Sequence, residues 1–211
     1  MLRRVTDIVG CRVTGTDGDI GTVRDVYFDD EQWVVRYLVV STDGWLGPDV
    51  LITPVVVSSV AWDDRAVKVG LTKDEVADSP SINLHKPASR REETRYYAYF
   101  GLDPYWTGAA IWPTAGAPGL MADETLASIR ARRSASQAEQ QALDASSGSD
   151  VHLRSANEVK GYHIQASDGR IGHADDFLLD EITWEIRIVD VDTSNWIGAP
   201  RSGSTARPSA R

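Results

Sequence analysis

One pattern occurs twice in the sequence, and this repeat constrains the fold more than any other feature. Residues 10–47 align without a gap with residues 161–198, at an offset of 151 positions. Self-similarity at a fixed offset indicates a structural unit that is used more than once. We therefore expect two copies of one small β unit. The matched pairs include Gly10 and Gly161, Asp25 and Asp176, Trp33 and Trp184, Arg36 and Arg187, Val40 and Val191, and Trp45 and Trp196.

Within the first copy, turn signals separate short apolar segments. Asp17-Gly18 is typical of a tight hairpin turn. Residues 20–28 and 33–40 are rich in β-branched and aromatic side chains, which favours strands. Pro54 interrupts an apolar run and predicts a bend or a sheet edge. Residues 3–71 thus predict about six short strands in a small barrel or sandwich, making the fold mainly β.

The rest of the chain divides by composition. We predict a first domain at 1–80, a linker at 81–150, a second and partial domain at 151–198, and a disordered tail at 199–211. The second copy is partial because no counterpart of the first copy's later apolar segments follows Gly198. Thr72 and Glu75 have the spacing of a capping box, which predicts a helix start after the last strand of the first domain.

The linker has two kinds of segment. Residues 90–100 predict a short helix with an aromatic side, whereas 123–144 have too few apolar residues for more than a solvated or partly disordered helix. Intramolecular packing is the favoured role for the linker aromatics, and contact with a partner is the alternative. These are Tyr96, Tyr97, Tyr99, Phe100, Tyr105 and Trp106.

Charge and composition bear on partners and location. The net charge of −9 argues against nucleic acid and against an anionic membrane surface as partners. A single cysteine, Cys11, permits no intramolecular disulfide and fits a reducing compartment. The N-terminus lacks the apolar core of a signal peptide, and no apolar run reaches the roughly 20 residues that span a bilayer. We therefore expect a cytoplasmic protein without a transmembrane segment.

The repeat also suggests a charge pair in each hairpin. If Phe28 faces Trp33 across the turn, Asp25 lies directly opposite Arg36. The same folding of the second copy places Asp176 opposite Arg187. Opposite charges at such positions contribute roughly 0.2–1 kcal/mol, so we predict two ion pairs that set the strand register.

No set of residues predicts a catalytic, cofactor-binding or metal site. Asp17, Asp19 and Asp25 lack the bidentate glutamate of a calcium loop, and Arg170 replaces Asp19 in the second copy. Cys11 has no evident activating base and is interpreted as a small strand residue. Scattered histidines do not support a zinc site, and the repeated tryptophans are interpreted as core or turn-packing residues. The histidines are His85, His152, His163 and His173, and the tryptophans are Trp33, Trp45, Trp184 and Trp196.

Taken together, these motifs resemble the PRC-barrel family. The resemblance is carried by residues 17–30, by the strand that starts at Trp33, by the loop at Trp45, by residues 51–54 and 71–80, and by the start of the second copy at His152. The family is named after the photosynthetic reaction-centre H subunit, whose cytoplasmic part contains this small barrel. The same barrel docks onto a ribosomal protein in a ribosome maturation factor. The chain is most similar to tandem stand-alone bacterial members, with the second copy truncated.

The resemblance implies a non-catalytic module for protein interaction or assembly. A relation to the assembly of a reaction centre by an H-subunit-like protein is one form of this role. Its partner would be another protein or a second copy of the chain, as in a homodimer. The alternative is a small-ligand sensor or enzyme with a pocket between the two copies. A convergent cluster of buried polar groups with perturbed titration would favour that alternative.

Overall fold

The computed structural model describes residues 1–42, 44, 47, 49–80, 90–107, 111–112, 118, 152–167, 169–193 and 204–206. The fold is mainly β, as predicted from the sequence. Two short 3-10 turns, Pro54–Val56 and Tyr105–Thr107, accompany the regular elements. These are, in chain order, β1 (Leu2–Arg4), α1 (Val5–Ile8), β2 (Arg12–Thr14), β3 (Asp19–Asp29), β4 (Val34–Ser41), β5 (Val50–Ile52), β6 (Val57–Ala61), β7 (Ala66–Val69), α2 (Lys73–Ala77), α3 (Arg90–Tyr99), β8 (Leu153–Ser155), α4 (Ala156–Val159), β9 (His163–Ala166), β10 (Gly169–Asp180), β11 (Ile186–Asp192) and β12 (Ser204–Ala206).

The first sheet is built from the first copy and has the strand order β5-β4-β3-β2-β7-β6. Its pairs are antiparallel except for β2 and β7, which run parallel. Pro54 begins the 3-10 turn between β5 and β6, so the predicted bend is confirmed. The sheet curls around an apolar core in which Val13, Ile20, Val26 and Leu38 are at most 1% exposed.

The second sheet has the order β1-β10-β11-β12, and β9 also pairs with β10. Strand β12 pairs antiparallel with β11, so that Val189 faces Ala206. Three residues of the segment that we expected to be a disordered tail therefore form a strand. Backbone pairing explains this difference from the expectation, because a short polar segment can join a sheet edge through its amides alone.

The central hairpins of the two copies have the same register. Bulges lie between Val23 and Asp25 and between Ala174 and Asp176, which are equivalent positions. Gly21 and Gly172 explain the repeated Ile-Gly pair. A Cβ atom at Gly21 would lie 1.9 Å from the Ser41 carbonyl oxygen, and one at Gly172 would lie 2.1 Å from that of Asp192. Only glycine fits where the paired strand approaches so closely.

The predicted helix signals are confirmed. The Thr72 hydroxyl accepts a hydrogen bond from the Glu75 amide, and the Glu75 carboxylate accepts one from the Thr72 amide at 2.9 Å. Helix α3 spans Arg90–Tyr99 and packs its aromatic side on the first sheet, where the rings of Tyr37 and Tyr96 lie 5.3 Å apart. The predicted solvated helix at 123–144 lies outside the described residues. Among the described residues, no helix has the length and apolar character needed to cross a bilayer.

Candidate functional site

The two copies exchange their first strands. Strand β1, from the N-terminus, pairs with β10 of the second copy, and its Leu2 faces Asp180. Strand β8, which opens the second copy, pairs with β3 of the first copy, and its Leu153 faces Asp29. Each copy therefore completes the other's sheet. The predicted boundaries at residues 80 and 151 remain a prediction, and they separate each first strand from the sheet that it joins.

The hairpins also bond to each other near their turns. The Val35 amide donates to the Trp184 carbonyl at 2.9 Å, and the Ile186 amide donates to the Trp33 carbonyl at 2.7 Å. These bonds are equivalent under the 151-residue offset of the repeat. Both tryptophans have positive φ angles, 57° at Trp33 and 59° at Trp184. The equivalent bonds and the matching φ angles make this contact approximately twofold symmetric.

The repeated aspartates bind across this junction. The Asp25 carboxylate accepts hydrogen bonds from the Ser155 hydroxyl at 2.5 Å and from the Asn157 amide at 3.2 Å. Asn157 lies in the first turn of α4, so Asp25 satisfies a helix N-terminal amide that has no partner within the helix. Burial raises the pKa of Asp25, and the hydrogen bond from Ser155 partly offsets that rise.

Asp176 binds the first turn of a helix in the first copy, as Asp25 does in the second. It accepts hydrogen bonds from the Thr6 hydroxyl at 2.5 Å and from the Thr6 amide at 3.4 Å, in the first turn of α1. Arg4 adds an ion pair at 3.4 Å. Asp176 is only 4% exposed, so these contacts supply the partners that a buried carboxylate requires. The aspartate of each repeat is therefore a contact to the other repeat.

The predicted ion pairs within the hairpins are wrong. Asp25 lies opposite Val39, and Asp176 lies opposite Asp190. Counting from the turn fails because Phe28 faces Val35 and not Trp33, which already moves the register by two residues. The bulge between Tyr27 and Phe28 moves it by one more, and the second copy has the same pattern. Arg187 instead pairs with Glu185.

Arg36 is fully buried and contacts the linker. Its Nη1 donates to the Ile111 carbonyl at 2.7 Å, and its Nη2 donates to the Gln32 side chain at 2.5 Å. The guanidinium lies 3.9 Å from the centre of the Tyr105 ring and 4.8 Å from that of the Trp112 ring. Burial lowers the pKa of Arg36, although the surrounding groups favour its charged form. This arginine therefore anchors the linker on the first copy by hydrogen bonds and cation–π contacts.

A second buried polar cluster lies between α3 and β4, centred on Glu93. Its Oε1 accepts hydrogen bonds from the hydroxyls of Tyr37 at 2.9 Å and Tyr105 at 3.0 Å. Arg90 pairs with its Oε2 at 3.4 Å and also donates to the Tyr105 hydroxyl at 2.7 Å. Glu93 is 2% exposed, and burial raises its pKa to about 7 despite the nearby Arg90. A carboxyl group with this pKa can exchange a proton near neutral pH.

The linker aromatics are packed within the molecule, as the favoured interpretation predicted. Tyr96, Tyr97, Phe100 and Tyr105 are at most 2% exposed. The Tyr96 hydroxyl donates to the Leu51 carbonyl at 2.9 Å and accepts from the Thr53 amide at 3.0 Å. These contacts join α3 to β4 and to the end of β5, so residues 90–107 and 111–112 pack on the first sheet.

The other residues considered from the sequence are separate from these clusters. Cys11 is buried, and burial raises the pKa of its thiol. Asp17 accepts from the Lys73 amide at 3.0 Å, next to the start of α2. His163 and His173 lie side by side with ring centres 4.6 Å apart, but no group of three metal-ligating side chains occurs among the described residues. His85, Trp45, Trp196 and Arg170's side chain lie outside the described part of the chain.

Sequence reasoning missed the roles of Glu93, Ser155 and Thr6. Glu93 precedes Tyr96 and Tyr97 by three and four residues, which places its carboxylate on the aromatic side of α3. That spacing was an available signal for a buried carboxylate. Ser155 and Thr6 gave no comparable signal, because their partners lie at 130 and 170 positions' distance in the sequence.

Comparison with known proteins identifies the first copy. The family model of the PRC-barrel domain matches residues 2–76, from β1 into α2. No curated protein shows significant similarity to the chain. The matched range contains all six strands of the first sheet that come from the first copy, together with the exchanged strand β1. Residues 2–76 of this chain are a PRC-barrel domain, as the sequence motifs indicated.

Proposed function

We propose that the chain is a non-catalytic protein-interaction and assembly module. The observation that carries the proposal is the reciprocal exchange of β1 and β8 between the copies. Each unit already recognises another unit by adding a strand to its sheet and by binding the first turn of a short helix. A fold that assembles in this way within one chain is suited to assemble with other proteins by the same chemistry.

The buried charged groups support a structural role. Asp25 and Asp176 bind the opposite copy, whereas Arg36 and Glu93 attach the linker to the first sheet. Each of these side chains has partners from its own chain. Their interactions hold the module in one arrangement, so that its outer edges keep a defined geometry for a partner.

The proposal extends the resemblance to the whole chain. In it, the second copy is a second, partial PRC-barrel unit, and the protein works in the cytoplasm of a bacterium. The partner is another protein or a second copy of the chain, and nucleic acid is not expected at a net charge of −9. In one form of this function, the chain takes part in reaction-centre assembly in the manner of an H subunit. The identity of the partner tests this form.

Affinity capture of the full chain from its native cells, followed by mass spectrometry, tests the proposal. We expect one protein to be retained at near-stoichiometric yield and to bind the purified chain reversibly. Light scattering of the purified chain over a wide concentration range separates self-association from binding to a different protein. Failure to retain any protein, together with a monomer at every concentration, would contradict the function.

The second candidate is a small-ligand sensor or enzyme, and the Glu93 cluster is the observation that favours it. Its pKa of about 7 meets the criterion of a buried group with perturbed titration. The cluster lies between α3 and β4, however, whereas the alternative required a pocket between the copies. A metabolite that raises the melting temperature of the wild-type chain but not of Glu93→Gln would support this candidate.

A further inference from the structure

The two copies differ at one sheet edge. In the first copy, β2 lies between β3 and β7, and its Arg12, Val13 and Thr14 face Ala66, Val67 and Lys68 in a parallel register. The equivalent strand of the second copy is β9, which begins 151 positions later at His163. Within the part of the chain that the structure describes, β9 pairs with β10 alone.

The backbone groups of β9 that have no partner among the described residues can be assigned by comparison with the first copy. The Arg12 amide donates to the Arg65 carbonyl at 2.8 Å, on the β7 side of β2. Successive residues of a strand direct their backbone amides to opposite sides. The amide of Thr14 therefore also points toward β7, and the amide of Val13 points toward β3. The equivalent residues His163 and Gln165 therefore direct their amides and carbonyls to the open edge of β9.

The apolar side chains beside this edge are less covered than their counterparts. Val13 is 0% exposed and Ile20 is 1% exposed in the first copy. Their equivalents, Ile164 and Ile171, are only half-buried. Tyr162, immediately before β9, is 54% exposed. Among the described residues, the second copy thus has backbone groups without a partner and apolar surface at the position where β7 covers the first copy.

We propose that β9 is the docking edge for a parallel β-strand of another protein, with alternating apolar residues like those of β7. This inference rests on the proposed interaction function and names its site and the partner's chemistry. The parallel register argues against a second copy of this chain, because two β9 strands related by a twofold axis would run antiparallel. The chain's own β7 is already paired on both sides, with β2 and β6. The net charge of −9 further favours a partner segment that carries basic residues, as β7 carries Lys68.

A peptide with the sequence of residues 62–71, which contains β7, is a direct probe. We titrate it into the isotope-labelled full chain and follow the backbone amides by nuclear magnetic resonance. The expected result is a saturable shift of the His163, Ile164 and Gln165 amides, with slower hydrogen exchange at His163 and Gln165. The control peptide carries Val67→Pro, which removes an amide on the β2-facing side of β7, and should not bind.

The matched protein variant is Gln165→Pro. Its missing amide faces the open edge, so the pairing of β9 with β10 should survive, as proline is tolerated on edge strands. We expect unchanged amide shifts in the first copy and at least tenfold weaker peptide binding. Equal binding to this variant, no shift at residues 163–165, or shifts confined to Arg12–Thr14 would each overturn the docking edge.

Repeating the affinity capture with Gln165→Pro separates this inference from the function on which it rests. Loss of the partner that the wild-type chain retains places the contact at β9. Retention of the same partner would show that the docking edge is wrong although the interaction function stands. Failure of both proteins to retain a partner, in spite of peptide binding, would contradict the proposed function while leaving the strand-accepting edge in place.

Discussion

At the residue scale, burial changes the titration of the Glu93 side chain. Glu93 lies on a helix of the linker, and glutamate side chains are mostly exposed in folded proteins. The aromatic side of α3 instead turns it into a site that is 2% exposed and bonded to two tyrosine hydroxyls. A buried carboxyl group with such partners titrates differently in the folded and unfolded chains.

The first prediction concerns the pH dependence of stability. The folded protein keeps the Glu93 proton up to pH about 7, whereas the unfolded chain releases it near pH 4.5. Stability should therefore fall as pH rises through this window, by about 3 kcal/mol, and then level off. Urea unfolding of the wild type and of Glu93→Gln at intervals from pH 4.5 to 8 measures this difference.

In that comparison, the free energy of unfolding of Glu93→Gln should lack the fall that Glu93 causes. Glu92→Gln removes a carboxylate from the same helix but keeps Glu93, and should retain the fall. Parallel curves for the wild type and Glu93→Gln would show that Glu93 does not hold its proton in the folded state.

The second prediction concerns the aspartates that bind across the junction. Asp176→Ala removes the acceptor for Thr6 and the partner of Arg4. Because these groups are partly buried, we expect the free energy of unfolding to fall by about 1–3 kcal/mol. Asp175→Ala at the adjacent exposed position should change it by less than about 0.5 kcal/mol. Equal effects in urea unfolding would remove the assigned role of Asp176.

At the element scale, the exchanged strands β1 and β8 are equivalent in position but differ in burial. Leu153 of β8 is 4% exposed, whereas Leu2 of β1 is 39% exposed. Strand β8 joins the sheet with six other strands, whereas β1 joins the sheet with four others. The same exchange therefore contributes unequal apolar burial to the two copies.

The third prediction uses this pair as its own control. Leu153→Ala should lower the free energy of unfolding by about 2–4 kcal/mol, because it opens a cavity at a buried position. Leu2→Ala should cost less than about 1 kcal/mol, since its side chain already contacts solvent. Chemical denaturation of both variants gives the comparison, and a larger loss at Leu2 would contradict the greater stabilising role that its burial assigns to Leu153.

The elements also show what the sequence could predict. The strands of the first copy, the Pro54 bend, the capping box at Thr72 and helix α3 were predictable, because each depends on neighbouring residues. The register was predicted wrongly at Asp25 because the length of the turn and the bulge beside Phe28 leave no reliable mark in the residue pattern. The exchange of β1 and β8 was not predictable either, since a repeat that pairs with itself and one that pairs with its copy use the same side chains.

Strand β12 is a related case. The residues Ser204–Ala206 lack the apolar pattern of a strand, and their pairing with β11 depends on backbone groups. Their position at the edge is equivalent to that of β5 in the first copy. A sequence pattern reports side-chain burial, so strands that are held by their backbone are the ones that it fails to predict.

At the scale of the whole molecule, the exchanged strands couple the folding stability of the two copies. Because β1 pairs with the second copy and β8 with the first, we expect unfolding of either copy to remove a strand from the other. Phe28 of the first copy and Phe177 of the second also pack together, with ring centres 5.5 Å apart. A chain that is connected in this way should unfold as one cooperative unit, even though its sequence suggests two domains.

The fourth prediction tests that dependence by native-state hydrogen exchange. Phe177→Ala lies in the second copy and should reduce its stability by about 3 kcal/mol or more. If the copies unfold together, the slowest amides of β4 in the first copy should lose the same protection free energy as those of β11. Ile182→Ala, at a 40% exposed turn position of the second copy, is the control and should change neither strand appreciably. Unchanged protection in β4 would mean that the first copy survives without its partner, and the exchanged strands would then be dispensable to the PRC-barrel domain.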